Sequence, residues 1–183
     1  MDTPASSSPP AVPAAVPTAP AALNRLLTAA DLAAVCALHA EVFGPGRFTR
    51  TAYRVREGTP VLSPFCRGAF LGTTLAASLK LTPVTIGGTG KHLLLGPLAV
   101  SPTYSGQGYG KALVSDALID AEAAGIGLVV LIGDRPYYDR FGFAPVPPGQ
   151  IVFPGPVNPA RILVRELIPG ARATAHGAIA AVI

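Results

Sequence analysis

The chain has 183 residues, half of them hydrophobic and 13% charged. That length suits one ordinary domain, and that composition excludes a wholly disordered chain, which needs low hydrophobicity and dense charge. A net charge of +4, from 14 basic and 10 acidic residues, is a mild excess without the basic, aromatic-studded stripe of a nucleic-acid binder.

Residues 1 to 22 hold six prolines and the run Ser6-Ser7-Ser8. Proline at that density blocks helix and ladder alike. Proline also interrupts every apolar stretch there, so a secretory signal is not expected. A flexible tail is expected over 1–22, a single domain over 23–183, and a cytoplasmic location. Thr28 is placed to cap a first turn, with Asp31 where the helix dipole favours an acid. Leu32, Val35, Cys36 and His39 recur at helical spacing, and Gly44-Pro45-Gly46 ends that helix. A second short helix is expected from Arg50 to Glu57. It overlaps the one basic cluster, Arg47, Arg50, Arg54 and Arg56, which is either a solvated face or a contact to an anion or substrate. Cys36 and Cys66 have no CxxC pair or histidine cluster beside them. They read as buried small hydrophobes, and no metal site is expected.

The period then changes. Pro64–Phe70, Leu75–Ile86 and His92–Val100 have strand character, separated by Gly72-Thr73-Thr74 and Gly87-Gly88-Thr89-Gly90. An antiparallel meander is expected. A helix follows over 108–124, with Leu113, Val114, Ala117, Leu118 and Ala121 inward and Asp116 and Asp120 on the other face. Gly125 stops it. Ile126–Ile132 is a continuous apolar run suited to a strand buried on both faces. It ends at Asp134, far short of the ~18–20 residues that span a bilayer, so no membrane partner is expected despite a mean hydropathy of +0.46. Strand, helix and strand form a β-α-β unit with its strands parallel.

Between that first strand and the helix lies Ser105-Gly106-Gln107-Gly108-Tyr109-Gly110. A glycine-rich loop at a helix N-terminus binds anions, because backbone N–H groups converge there and the dipole favours phosphate. The spacing fails GxxxxGK[ST], since Lys111 precedes Ala112. It also fails GxGxxG, since Lys111 stands at the third glycine. It fits both glycines of [RQ]xxGx[GA], the pyrophosphate loop of acetyl-CoA-dependent acetyltransferases.

With this loop the chain resembles the GNAT superfamily of N-acetyltransferases. Leu94 to Pro102 is similar to the strand and turn before the family's loop. Val129 to Asp134 is similar to the strand after it, and Tyr137 to Phe143 to the Y-x-x-x-G-F segment beyond. Two positions depart: Ser105 stands where Gln or Arg is usual, and Asp134 where many members have asparagine.

The resemblance implies an α/β (α+β) fold: a mixed central sheet with an antiparallel meander, then the β-α-β unit with splayed parallel strands, flanked by helices. It implies acetyl-CoA as co-substrate. The pantetheine arm would lie along Leu98, Ala99 and Val100, and the diphosphate on the loop Ser105, Gly106, Gln107, Gly108, Tyr109, Gly110 and Lys111. Lys111 either adds a charge-assisted contact or is an exposed first-turn lysine. A backbone N–H near Leu98 or Ala99 would hold the oxyanion. Tyr138 matches the family's tyrosine and would protonate the CoA thiolate, with Tyr137 the neighbour one register away. No acid lies in strand 92–100, which leaves His92, Glu41 or water to take the amine proton. The prolines from Pro145 to Pro159 suggest a loop over the substrate mouth or a plain surface crossover, and Arg161–Ile168 a last antiparallel strand.

Three activities stay open. The first is acetyl transfer from acetyl-CoA to a primary amine by direct attack in a ternary complex. The second uses a longer acyl-CoA or an acyl carrier protein as donor. The third is a non-catalytic acyl-CoA-binding regulatory module. The acceptor would be a small-molecule or peptide amine. The oligomeric state stays open, a homodimer included.

Overall fold

The computed structural model describes residues 21–46 and 51–182. The proline-rich tail expected up to residue 22 falls almost wholly outside the described residues, as do Arg47 and Arg50 of the basic cluster. Strand β1 (Leu23–Leu26) leads into helices α1 (Leu32–Phe43) and α2 (Thr51–Val55). The meander follows as β2 (Arg67–Leu71), β3 (Thr74–Ile86) and β4 (Thr89–Val100), with its turns at the two glycine clusters. Then come α3 (Tyr109–Ala123), β5 (Leu128–Ile132) and the single turn α4 (Arg135–Tyr138). The C-terminal third holds β6 (Ala144–Pro145), β7 (Ile151–Val152), β8 (Ile162–Glu166), α5 (Ala171–Thr174) and β9 (Gly177–Ala181).

The strands form one mixed sheet in the order β1-β2-β3-β4-β5-β8-β6, with β9 added to β3 and β7 to β9. The meander is antiparallel, as expected, and β4 runs parallel to β5 across the α3 crossover. β8 lies antiparallel to β5 along its full length. Strand alternation sends side chains to two faces. On one, Leu113, Val114, Ala117 and Ala121 of α3 pack on Leu79, Leu93, Leu95, Val129 and Leu131. On the other, Val35 and Leu38 of α1 meet Phe70, Leu75 and Ala99.

One expectation about side chains changes, at Cys36, and another gains detail. Asp116 and Asp120 stand off the buried face of α3 and find partners there. Asp116 accepts from Asn24 Nδ2 at 3.0 Å, and Asp120 takes the Arg67 guanidinium, with Nε at 2.8 Å. These contacts tie α3 to β1 and β2. Cys66 is fully buried, but Cys36 is exposed, because the inward stripe of α1 runs through Val35 and Leu38 and leaves Cys36 beside it.

The Thr28–Asp31 signal marks a short 3-10 turn that feeds α1. Asp31 reaches back to the Thr28 N–H at 2.8 Å and the Thr28 hydroxyl at 3.0 Å. It also accepts both Arg25 nitrogens, at 2.7 and 2.8 Å. These bonds, that from Arg25 foremost, hold its carboxyl well below the usual carboxylate range. A depressed pKa contributes stability above the unfolded value of about 3.9 and loses it as pH falls further. Asp31→Asn should therefore lower the melting temperature by several degrees at pH 7. The gap to the native protein should close between about pH 4 and pH 2, as thermal melts across that range will show.

Candidate active site

The site begins with a mismatch between β3 and β4. Leu81 pairs with Leu95 and Leu79 with Leu98, so Gly96 and Pro97 stand opposite Lys80 alone. One extra residue on one strand is a β-bulge. The dipeptide suits it: proline has no N–H for a ladder, and Gly96 sits at φ +110°, the left-handed region that favours glycine. The bulge also switches parity. Leu93 and Leu95 face α3 before it, Leu98 and Val100 after it. β5 pairs with β4 only through His92–Leu94 and Leu128–Val130. Beyond Leu94 the two strands part, β5 continuing to Ile132 on β8 alone. A slot opens there, walled by the β4 edge from Leu95 to Val100.

That edge leads into the glycine loop. Gly108 caps α3 at φ +91° and brings no side chain over the helix end. The first bond within the helix runs from the Ala112 N–H to the Gly108 carbonyl, at 3.0 Å. The Gly110 and Lys111 amides therefore precede the ladder and face out from its positive end. Ser105, Gly106, Gln107, Gly108 and Lys111 are exposed, while Tyr109 and Gly110 are buried. The Tyr109 ring packs 6.3 Å from that of Tyr104, so what Tyr109 offers the loop is backbone. Gln107 turns its amide inward to the Thr103 carbonyl at 3.3 Å.

At the far wall, Gly133-Asp134 follows β5, and Asp134 is the N-cap of α4. Its carbonyl accepts from Tyr137 N–H at 3.0 Å. The Tyr138 ring packs against Gly133: a side-chain carbon built there would stand 2.6 Å from it. Phe143 closes on the same ring edge-on at 5.6 Å. Burial, with smaller contributions from Tyr137 and Asp134, pushes the Tyr138 hydroxyl up to about 12, so it stays protonated. The Tyr137 hydroxyl lies at the β4–α3 seam. A carbon built on Gly110 would find it at 3.4 Å, with Val100 at 3.1 Å and Leu98 at 3.5 Å.

Two cavities flank the bulge and share Tyr53, Arg56 and Pro97 as a common wall. One, of about 360 Å³, is largely apolar, lined among others by Leu27, Val35, Leu62 and Leu79, with His39 and Lys80. The other, of about 490 Å³, spans the slot mouth from Leu95 and Gly96 to Ile132, closed by Val157, Asn158 and Arg161. The proline-rich segment thus supplies one side of the mouth.

The sequence model of a GNAT acetyltransferase domain matches residues 24–146. The chain belongs to the GNAT acetyltransferase family. No curated protein matches it by sequence. Among solved structures, it is similar to the GNAT family N-acetyltransferase YhbS of Escherichia coli in complex with CoA, with 24% identity, a TM-score of 0.74, and coverage of 97% of this chain and 94% of that one. A Brucella melitensis GNAT acetyltransferase in complex with acetyl-CoA gives 24% identity, a TM-score of 0.67, and coverage of 87% and 94%. The ribosomal-protein-S18-alanine N-acetyltransferase of Escherichia coli gives 16%, 0.55, and 80% and 94%. These likenesses establish the GNAT fold.

Against the GNAT pattern, both departures have a local account. Ser105 is exposed ahead of the loop and leaves the backbone geometry untouched. Asp134 receives Arg161 Nη2 at 3.2 Å, a partner that an asparagine would not hold by charge. The two side chains considered for proton removal lie elsewhere. His92 sits where β4 and β5 are still paired, packed on Gly127 and buried, and burial lowers its pKa. The fold covers it at the end of β4 away from the slot. Glu41 is exposed on α1, its carboxylate accepting from Ser101 Oγ at 3.4 Å, and lines neither cavity. His39, read only as part of a helical stripe, does line the apolar cavity, 3.0 Å from Ser78 Oγ. Among the described residues no group of three or more His, Cys, Asp or Glu is placed to hold a metal, and no helix is long and apolar enough to cross a membrane.

Gly133 is small because the Tyr138 ring occupies the space above it. Gly133→Ala should force that ring to move, costing about 1–3 kcal/mol, as overpacking does. A urea melt should show the lower midpoint.

Proposed function

We propose that this protein transfers an acetyl group from acetyl-CoA to a primary amine by direct attack in a ternary complex. The observation that carries the reading is the β4 edge from Leu95 to Val100, parted from β5 and ending in a glycine loop at the start of a helix. An extended substrate arm pairs with an open edge as an added strand, here beside Leu98, Ala99 and Val100. The amides from Gln107 to Lys111 receive the diphosphate, as dipole and N–H direction favour.

The neutral amine attacks the thioester carbon. The carbon–nitrogen bond forms, the carbon–sulfur bond breaks, and the thiolate leaves with the electron pair. An N–H near Leu98 holds the developing oxyanion. Tyr138 gives the thiolate its proton, a role suited to a hydroxyl that stays protonated throughout the neutral range, while water takes the proton that the attacking nitrogen sheds and returns one to Tyr138. The position of the Tyr137 hydroxyl at the β4–α3 seam supports a second assignment of the same role. The catalytic unit extends over 23–183.

Calorimetric titration with CoA, and thiol release from acetyl-CoA with a panel of amines, test the reading. Binding without release would leave an acyl-CoA-binding module, and release only with longer thioesters would change the donor. Tyr138→Phe should lower turnover by about 10²–10⁴-fold with CoA affinity kept. Tyr137→Phe should leave turnover within a few-fold. The reverse pattern transfers the role to Tyr137.

A further inference from the structure

The wall between the two cavities holds a charge that no acid answers. Arg56 is only 7% exposed. Its Nε donates to Thr82 Oγ1 at 3.1 Å and its Nη1 to the Ala52 carbonyl at 2.8 Å. Nη2 has no hydrogen-bond partner. It faces the bulge, where a carbon built on Gly96 would stand 4.0 Å away. The Tyr53 ring, with its centroid 5.9 Å from the guanidinium carbon, contributes a face and no negative charge. Among the described residues Arg56 forms no ion pair.

A second cation lines the apolar cavity. Lys80 donates to the Pro60 carbonyl at 3.2 Å, and burial, together with the charge of Arg56, lowers its pKa. The acid on that wall, Glu57, is exposed and pairs with neither cation. Burial lowers Arg56 as well, to about 10, which leaves it cationic at neutral pH.

A neutral buried donor is satisfied by any acceptor. A permanent buried charge, with a second cation beside it, selects an anion, because leaving it unanswered in an apolar setting is costly. The unpartnered edge of a planar guanidinium, buried as it is, matches a carboxylate. Apolar surface flanks it on both sides, through Leu27, Val35, Leu62 and Leu79 in one cavity and Leu95, Ile132 and Val157 in the other.

We propose that the slot-mouth cavity, toward whose Gly96 Nη2 points, takes a carboxylate joined to an apolar body, with Arg56 Nη2 as the partner of the carboxylate. The inference rests on the acetyltransferase reading. It makes the substrates amino-carboxylates or, where the acyl group carries the acid, dicarboxylic thioesters.

Two arms separate those sources. In the first, thiol release from acetyl-CoA is measured with leucine and phenylalanine, each against its amide. In the second, an amine without a carboxylate is given succinyl-CoA against butyryl-CoA. A preference of tenfold or more in kcat/KM for the carboxylate member, expressed in KM, is expected in one arm. R56Q should erase that preference and R56K should restore part of it. Amino-acid amides are the more readily deprotonated acceptors, so they should win wherever Arg56 plays no part. Equal or better use of the neutral member in both arms overturns the inference.

Arg56 also holds α2 to β3, so the native protein's preference decides the matter if R56Q does not fold. Calorimetry separates the two failures. No heat with CoA overturns the acetyltransferase reading. CoA binding and thiol release without a carboxylate preference overturn the inference alone. If no amine is acetylated, N-acetyl-leucine against its amide is titrated into the CoA complex, and the same tenfold preference is required.

Discussion

Two residues that cannot continue a ladder set the architecture of this protein. Gly96 and Pro97 put one residue too many into β4. Without that excess, β4 and β5 would go on pairing past Leu94, and the parallel pair would be sealed along its length. With it, the strand bends, its side chains change faces, and the last stretch of β4 offers its edge to something other than β5. The same two residues border the cavity that reaches the slot mouth. The slot, the strand parity and the approach of Arg56 all follow from this one interruption.

Around the interruption the rest of the fold is conventional packing. α3 and α1 cover opposite faces with aliphatic side chains. The polar ties from Asp116 and Asp120 to Asn24 and Arg67 hold α3, and with it the glycine loop, against the far strands. The loop therefore stands on a helix fixed at two levels, by apolar contact beneath and by hydrogen bonds at its flank. Preorganised amides of this kind need little rearrangement to receive an anion.

Much of this was legible in the residues. β3, β4, α3 and β5 announced themselves because period, glycine turns and caps agreed, and the loop stood out because its glycines have a fixed spacing. β1 did not, since Asn24 and Arg25 spoil its alternation. β9 did not either, since Ala178, Ala180 and Ala181 have little strand preference; pairing with β3 decides its state. Arg56 was hidden for a different reason. Arg54 and Arg56 stand two apart in one basic cluster, yet the first is exposed and the second buried. Local sequence does not separate them, because burial depends on where α2 lands over β3 and β4. His39 was likewise an ordinary member of a helical stripe until the fold set Ser78 beneath it.

The way β5 is shared has a consequence for how such a protein changes over time. Three residue pairs join it to the N-terminal strands, while all five of its residues pair with β8. The sheet is thus bound like a book at a narrow spine, with β9 reaching back across to β3 as a clasp. One cover carries the glycine loop, and the other carries Asn158 and Arg161. Insertions or substitutions in the second cover reshape the page that bears the slot mouth and leave the page with the glycine loop as it was.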